Sequence, residues 1–203
     1  TNNQEYWAKA WSFKDHGKDW DAVYHREHDS IFKWLHESIG TNWRMTELAG
    51  AIGKIALTRL PVWVSARRQN AKQLDAGLSQ IDGLEVLTPP ENYTHCYYKY
   101  YVNVEANRLW GEFSRDEIVR CLQKEGIPCG SGMCCEIYNE KAIADSEFAV
   151  ESPLPAAKDL GERSIMFMVH PTLDASDMQD IITACEKVMR IVNETARPIS
   201  RAA

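Results

Sequence analysis

Thiol and imidazole side chains are the first candidates for chemistry in this sequence, because both groups bind metals and take part in catalysis. None of the six cysteines forms the Cys-x-x-Cys pair typical of zinc and redox sites: Cys96, Cys121, Cys129, Cys134, Cys135 and Cys185. A chain of 203 residues can bury a core without disulfides, so we interpret all six as reduced. We interpret the adjacent pair Cys134-Cys135 as incidental to its loop rather than as a redox centre.

Four histidines lie close together near the N-terminus: His16, His25, His28 and His36. The three-residue separation of His25 and His28 could place both rings on one face of a helix, as metal ligands. No cysteine or carboxylate stands beside them in a regular motif, so the sequence predicts no metal site.

The first forty residues predict a short helix and a long loop. After Asn3, a favoured N-cap, aromatic residues recur at roughly helical spacing and predict a helix over 4–13: Tyr6, Trp7, Trp11 and Phe13. The helix is expected to end at 15–17, with Gly17 at the C′ position. Residues 20–40 mix charge and aromatics without a period, which indicates a long ordered loop that reaches another surface.

Two helices are predicted around Pro61. Apolar residues trace one face over 45–60: Met45, Leu48, Ile52, Ile55, Ala56 and Leu60. Gly50 and Gly53 each weaken this helix by about 1 kcal/mol relative to alanine, which favours close approach of a neighbouring element. Pro61 suits the first turn of a second helix that ends at Leu78, and the pair is predicted to be a domain junction.

An α+β lobe is predicted beyond the junction. Strands are expected over 84–87, 97–104 and 164–169, and Ser114 is expected to cap a helix that ends at Gly126. A glycine- and cysteine-rich loop over 127–140 follows that helix. The last helix begins at Asp174 or Ser176 and turns apolar residues inward: Met178, Ile181, Ile182, Cys185, Val188 and Val192. Residues 197–203 are predicted to be a tail.

The composition excludes several classes of protein. The chain is 44% hydrophobic and 26% charged with a net charge of -6, and its basic residues are dispersed, which disfavours nucleic acid as a partner. No apolar run approaches the ~20 residues of a membrane span, and residues 1–5 do not resemble a signal peptide. We therefore expect a cytoplasmic protein with no membrane partner. Because Thr1 rather than Met begins the sequence, we expect part of a longer protein.

Residues 40–47 (GTNWRMTE), running into 51–53 (AIG), closely resemble a signature of the DegT/DnrJ/EryC1/StrS family of pyridoxal-phosphate-dependent sugar aminotransferases. The opening 1–17 resembles the stretch that follows the hairpin of the family's cofactor lysine. Further family landmarks follow in the same order: Arg67-Arg68, 95–98 (HCYY), 126–128 (GIP) and 170–173 (HPTL). The resemblance covers nearly the whole chain.

This resemblance implies an α/β fold of the aspartate-aminotransferase type, fold type I. Residues 1–60 would be the end of the large cofactor domain, with a dimer-interface loop and helix. Residues 61–203 would be a linker helix and a small α+β domain. The implied activity is transfer of an amino group from an amino acid, usually glutamate, to a keto group of a nucleotide-linked sugar, in a homodimer that binds pyridoxal 5'-phosphate. The family's cofactor lysine would lie before Thr1, so no catalytic residue is assigned in this chain, which alone is expected to be inactive.

The resemblance assigns Asn42 to the cofactor phosphate of the neighbouring subunit, and an amide donor suits phosphate oxygens. Trp43 and Arg44 stand beside it, and Arg44 could bind a phosphate or a donor carboxylate. His16 matches a family histidine near the mouth of the active site. Each has an ordinary alternative: asparagine is favoured in turns, a loop arginine often forms a surface ion pair, and a histidine after a helix interacts well with the helix dipole. His170-Pro171 is interpreted as a structural stop.

One segment departs from the family pattern. Many members carry a His-Tyr-rich, Pro-containing segment where this sequence has 130–138 (GSGMCCEIY), so its sugar preference is not implied by the resemblance. The alternative function is a non-catalytic interaction or regulatory module derived from the small domain. The gene upstream of Thr1 separates the two, because an upstream lysine followed by a glycine-rich hairpin would favour the enzyme.

Overall fold

The computed structural model describes residues 1–28, 31–109, 113–150 and 152–196, and the predicted tail over 197–203 lies outside them. The chain divides into two compact units, Thr1–Arg59 and Leu60–Ala203, with the boundary inside a long helix. No helix in the described residues combines the length and hydropathy that a membrane span requires.

The first unit begins with helix α1, Gln4–Lys14, whose cap confirms the prediction: the Asn3 side chain accepts a hydrogen bond from the Tyr6 N–H at 3.0 Å. Residues 20–40, predicted to be a loop throughout, contain a short helix α2, Trp20–Tyr24. The Asp19 carboxylate caps it by accepting from the Ala22 N–H at 2.8 Å. The loop prediction was therefore wrong for these five residues. Asp19, a favoured N-cap residue, was a signal for this helix in the sequence.

Helix α3, Glu47–Leu78, is continuous where two helices were predicted. Pro61 lacks an N–H and removes one intrahelical bond, but its φ is fixed near the helical value, so the helix passes through it. Only its second half carries buried residues: Asn70, Ala71, Leu74 and Leu78. In the first half Leu48, Ile52 and Ile55 stay 73, 60 and 57% exposed. No described atom lies within 4 Å of a Cβ built on Gly53, so the described residues do not supply the close neighbour expected there.

The second unit is built on a four-stranded antiparallel sheet of order β1-β2-β4-β3. The strands are β1 Leu84–Val86, β2 Tyr100–Val104, β3 Cys129–Gly130 and β4 Ser164–Phe167. Side chains alternate along the two central strands: Tyr100, Val102, Ile165 and Phe167 are buried, whereas Tyr101 and Met166 are half-buried. The strand expected over 97–104 begins only at Tyr100, and β3 was not predicted.

Helices supply the rest of the second unit's core. They are α4 Arg115–Lys124, α5 Lys141–Ala144, α6 Pro155–Arg163 and α7 Ala175–Ala196. The predicted Ser114 cap is confirmed, with the Glu117 N–H donating to its Oγ at 3.2 Å, and Gly126 ends the turn at a φ of +88°. The predicted inward face of α7 is buried together with Ile118 and Leu122 of α4. Short helices α5 and α6 were not predicted.

Candidate functional site

The predicted site residues in the first unit depend on a tight turn after α1. His16 has a φ of +61° and Gly17 one of +85°, the left-handed region that non-glycine residues seldom adopt. The Gly17 carbonyl accepts from the N–H groups of Glu37 and Ser38 at 2.9 and 3.2 Å. A Cβ on Gly17 would lie 1.7 Å from the Ser38 carbonyl oxygen, so only glycine fits. The turn therefore holds His16 in one fixed backbone conformation.

The segment around Asn42 runs antiparallel to the end of α1. The Thr41 N–H donates to the Phe13 carbonyl at 2.7 Å, and the His16 N–H donates to the Thr41 carbonyl at 2.9 Å. Asp15 and Asn42 form the bridge between the two segments. A Cβ on Gly40 would lie 2.3 Å from the Gly17 nitrogen, so this close approach needs a second glycine. Asp15 and Asn42, which are 27 positions apart in sequence, are thus fixed side by side.

The predicted aromatic and basic neighbours of Asn42 are both exposed. Trp43 is 69% exposed and packs edge-to-face on Phe13, with ring centroids 5.2 Å apart. Arg44 and the side chain of His16 are also exposed. Backbone hydrogen bonds thus place His16 beside the segment of Asn42, Trp43 and Arg44. The sequence alone does not reveal this proximity.

The Asn42 amide is oriented by Arg44. Its Oδ1 accepts from the Arg44 backbone N–H at 3.3 Å and lies 3.5 Å from the Arg44 Nε. Because the oxygen is engaged by donors, the Nδ2 points away from them, and it has no hydrogen-bond partner in the part of the chain that the structure describes. An exposed amide with two free N–H groups is suited to an acceptor-rich ligand such as a phosphate.

A buried carboxylate, Asp15, lies next to Asn42. The sequence did not predict its role. Asp15 is only 6% exposed, and its Oδ1 lies 3.4 Å from the Lys18 Nζ and 3.6 Å from the Arg44 Nε. The Lys14 Nζ is 4.0 Å from Oδ2. Burial raises the pKa of the Asp15 carboxyl, but Lys18, Arg44 and Lys14 outweigh it and hold that pKa below its ordinary value. Asp15 was interpreted only as the end of a helix, since nothing local in the sequence signals its burial.

The electrostatics of this surface favour an anion. Three cationic groups lie within 4.0 Å of one carboxylate, so the cluster of Lys14, Asp15, Lys18 and Arg44 is net positive. Arg44 therefore forms the ion pair that its ordinary interpretation anticipates, and it remains half exposed and able to meet a second anion.

The landmarks of the second unit have structural partners. Arg67 donates from one Nη to the carbonyls of Tyr97 and Tyr98 at 3.1 and 2.9 Å, and the Arg68 Nε donates to the His95 carbonyl at 2.9 Å. These bonds fix the segment before β2 onto α3.

His170 likewise has a structural setting. Its carbonyl accepts from the buried Asn70 Nδ2 at 3.4 Å, and its Nδ1 lies 2.7 Å from the Thr172 Oγ1. Both bonds belong to the turn that links β4 to α7, as expected for a structural stop.

The histidines considered as metal ligands form no cluster. The His28 Nε2 is 2.8 Å from the Ala22 carbonyl, which accounts for that ring. Among the described residues no group of three or more histidine, cysteine or acidic side chains could hold a metal ion.

Comparison with known proteins identifies the class. The model of the DegT/DnrJ/EryC1/StrS aminotransferase family matches residues 1–186, and the chain belongs to that family. The crystal structure of an aminotransferase from Psychrobacter cryohalolentis superposes with a TM-score of 0.83 at 43% identity, over 95% of this chain and 51% of that one. The expected fold, that of the fold type I pyridoxal-phosphate enzymes, is confirmed.

Two more distant relatives carry functional names. The dTDP-4-dehydro-2,3,6-trideoxy-D-glucose 4-aminotransferase of Saccharopolyspora spinosa is 24% identical over 157 residues, which are 75% of this chain and 37% of that protein. The PLP-form structure of the sugar aminotransferase Spr1654 from Streptococcus pneumoniae is 18% identical, with a TM-score of 0.72 over 95% of this chain and 45% of that one. The chain thus spans about half or less of the length of these relatives.

Proposed function

We propose that the protein containing this chain is a pyridoxal-phosphate-dependent aminotransferase that moves an amino group from an amino acid, L-glutamate, to a keto group of a nucleotide-linked sugar. The observation that carries the proposal is the exposed Asn42 amide, with its N–H groups free beside a net positive cluster, in a chain of this aminotransferase family. The sugar-nucleotide substrate named for the Saccharopolyspora relative supports the acceptor class.

The residues present fit the phosphate end of the cofactor. Asn42 offers two N–H donors, and the half-exposed guanidinium of Arg44 adds a positive charge. The ion pair with Asp15 holds that guanidinium in place. When bound, pyridoxal phosphate supplies a ring that withdraws the electrons left behind when a proton leaves the amino acid. His16 and Trp43 are exposed beside the Asn42 segment, and we assign them contacts with a substrate.

A homodimer is part of the proposal. Leu48, Ile52 and Ile55 form an apolar stripe on the first half of α3, and a stripe this exposed is expected to be covered in the working protein. It lies just after Asn42 in the sequence, so a second copy docked on the stripe would bring its own active site close to Asn42. The family resemblance assigns Asn42 to the cofactor phosphate of the partner subunit, and we adopt that assignment in the proposal.

The proposed location is the cytoplasm. The proposal rests on the sequence, whose residues 1–5 do not resemble a signal peptide and whose six cysteines lack the spacing of paired sites.

Isotope transfer tests the proposed reaction. The full-length protein, loaded with pyridoxal phosphate, is mixed with ¹⁵N-labelled L-glutamate and a dTDP-linked keto sugar, and the sugar nucleotide is analysed by mass spectrometry. We expect ¹⁵N in the sugar and one 2-oxoglutarate released per amino group transferred. Loaded protein that releases no 2-oxoglutarate and leaves the sugar unlabelled would contradict the donor and the acceptor class.

A binding experiment tests Asn42 separately from turnover. Asn42→Ala should weaken pyridoxal phosphate by about ten- to a hundred-fold, because the phosphate loses a donor, and should leave the affinity for pyridoxal, which has no phosphate, unchanged. The matched control is Asn107→Ala, which removes an exposed asparagine of the second unit. Equal losses for both ligands would count against a phosphate contact.

A further inference from the structure

The proposed function leaves the adjacent thiols of Cys134 and Cys135 without a role. Three of the six cysteines are exposed, and two of those three are these neighbours; Cys96 is the third. Two of the remaining three are poor reagents: burial raises the pKa of the Cys129 thiol to about 11 and also raises the pKa of the Cys185 thiol. Among the described residues, only Cys134 and Cys135 are exposed cysteines that are adjacent in sequence.

The segment that carries the pair is anchored on both sides. Gly132, at a φ of +86°, lies so close to the Tyr101 ring that a Cβ there would be 2.4 Å from Cε1. The Tyr138 hydroxyl donates to the Glu136 carboxylate at 2.5 Å and accepts from the Leu154 N–H at 3.1 Å. The two thiols are therefore presented on a short span whose ends are held by the second unit.

The Cys135 sulfur is packed against helix α6. The Cys135 Sγ lies in a notch on α6 left by the missing side chain of Gly161, because a Cβ at Gly161 would be 1.9 Å from that sulfur. A rotation about the Cα–Cβ bond of Cys135 moves the sulfur out of this notch. Gly161 has ordinary helical backbone, so alanine suits its conformation. The alanine Cβ would also lie 2.9 Å from the Cys135 Cβ, so filling the notch shifts the Cys135 loop slightly as well as its sulfur.

We propose that Cys134 and Cys135 form a dithiol site that binds a trivalent arsenical through both sulfur atoms. In the binding step, an arsenical R–As(OH)₂ exchanges two As–O bonds for two As–S bonds. The two thiol protons leave with the two hydroxyl groups as water, and arsenic remains trivalent throughout. Once the first sulfur has bound, the second acts intramolecularly at a high effective concentration, so chelation is far tighter than binding by one thiol.

The test uses phenylarsine oxide on the reduced full-length protein, with the bound arsenical measured by intact mass and the remaining thiols by Ellman's reagent. We expect a tightly bound equivalent that consumes two thiols, resists excess monothiol and is released by 2,3-dimercaptopropanol. Cys134→Ser and Cys135→Ser should each weaken this binding by about a hundred-fold or more, whereas the matched control Cys96→Ser should bind like the wild type. The proposal is overturned if either of the first two variants retains wild-type affinity, or if a monothiol releases the arsenical as readily as the dithiol.

Gly161→Ala tests the structural part of the proposal. Alanine at position 161 would fill the notch and exclude the Cys135 sulfur from it. Because the wild-type sulfur must give up this contact before it can bind, the variant should bind phenylarsine oxide more tightly than the wild type. Affinity equal to or lower than that of the wild type would overturn the role given to the notch. Neither measurement depends on aminotransferase activity, so the site can fail or succeed independently of the proposed function.

Discussion

The buried carboxylate of Asp15 lies 3.6 Å from the Nε of Arg44, and the same Nε lies 3.5 Å from the amide oxygen of Asn42. One guanidinium thus connects the end of α1 to the residue assigned to the cofactor phosphate. Since the Asp15 and Asn42 backbones also form a bridge, the carboxylate supports the Asn42 segment through both backbone and side chain.

Asp15→Asn should destabilise the protein at neutral pH by about 1–3 kcal/mol, because the variant loses a buried carboxylate that forms ion pairs with Lys18, Arg44 and Lys14. The pKa of Asp15 is lowered in the folded state, so its ionised form stabilises the fold above the unfolded pKa, near 3.9. That contribution falls as the pH drops through the folded pKa, so the difference between wild type and variant should shrink below about pH 4. Urea unfolding across pH measures it, and a difference that stays constant or grows with acid would contradict the ion-pair account.

Tyr100→Phe should cost about 1.5–3 kcal/mol of unfolding free energy. The Tyr100 side chain is 1% exposed, and its hydroxyl donates to the Asp75 carboxylate at 2.7 Å, which links β2 to α3. Urea denaturation with an unchanged slope is the measurement. The neighbouring Tyr101→Phe is the control and should change stability little, since its hydroxyl has no hydrogen-bond partner among the described residues. Equal effects of the two variants would refute the assigned bond.

Ile52→Asp should convert the proposed full-length dimer to monomers, raising its dissociation constant by at least about a hundred-fold, because a carboxylate would be buried without a partner in both subunits. Ile52 is 60% exposed within this chain, so the monomer itself should remain folded. Analytical ultracentrifugation measures the assembly, and circular dichroism checks the fold. Lys54→Asp, nearly opposite on α3, should leave the dimer intact. A stable Ile52→Asp dimer would place the interface elsewhere.

The sequence predicted best where the determinant is local. Asn3 and Ser114 each cap a helix as expected, because a cap acts over three residues, and α7 shows its buried face because a long amphipathic pattern averages over many positions. The prediction failed at Pro61, where one missing hydrogen bond did not end a helix of 32 residues. It also missed β3, since two residues are too few to show an alternating pattern.

The part of the candidate site that depends on local sequence was also predictable. The sequence block around Asn42 carries its own signal, and the structure adds the partners that come from far along the chain. Asp15 is buried only because the segment around Asn42 packs against it, and Gly40 is required only because Gly17 lies opposite. These residues are 23 and 27 positions apart, and contacts at such distances leave no periodic pattern in the sequence.

The central claim, that Asn42 serves the cofactor of the partner subunit, is tested most directly in a mixed dimer. One subunit lacks the cofactor lysine of the full-length protein and the other carries Asn42→Ala. If Asn42 acts across the interface, both defects fall in one active site and the other site is whole, so purified mixed dimers should keep about half of the wild-type activity. If it acts within its own subunit, each defect damages a different site, and activity far below half would contradict the assignment.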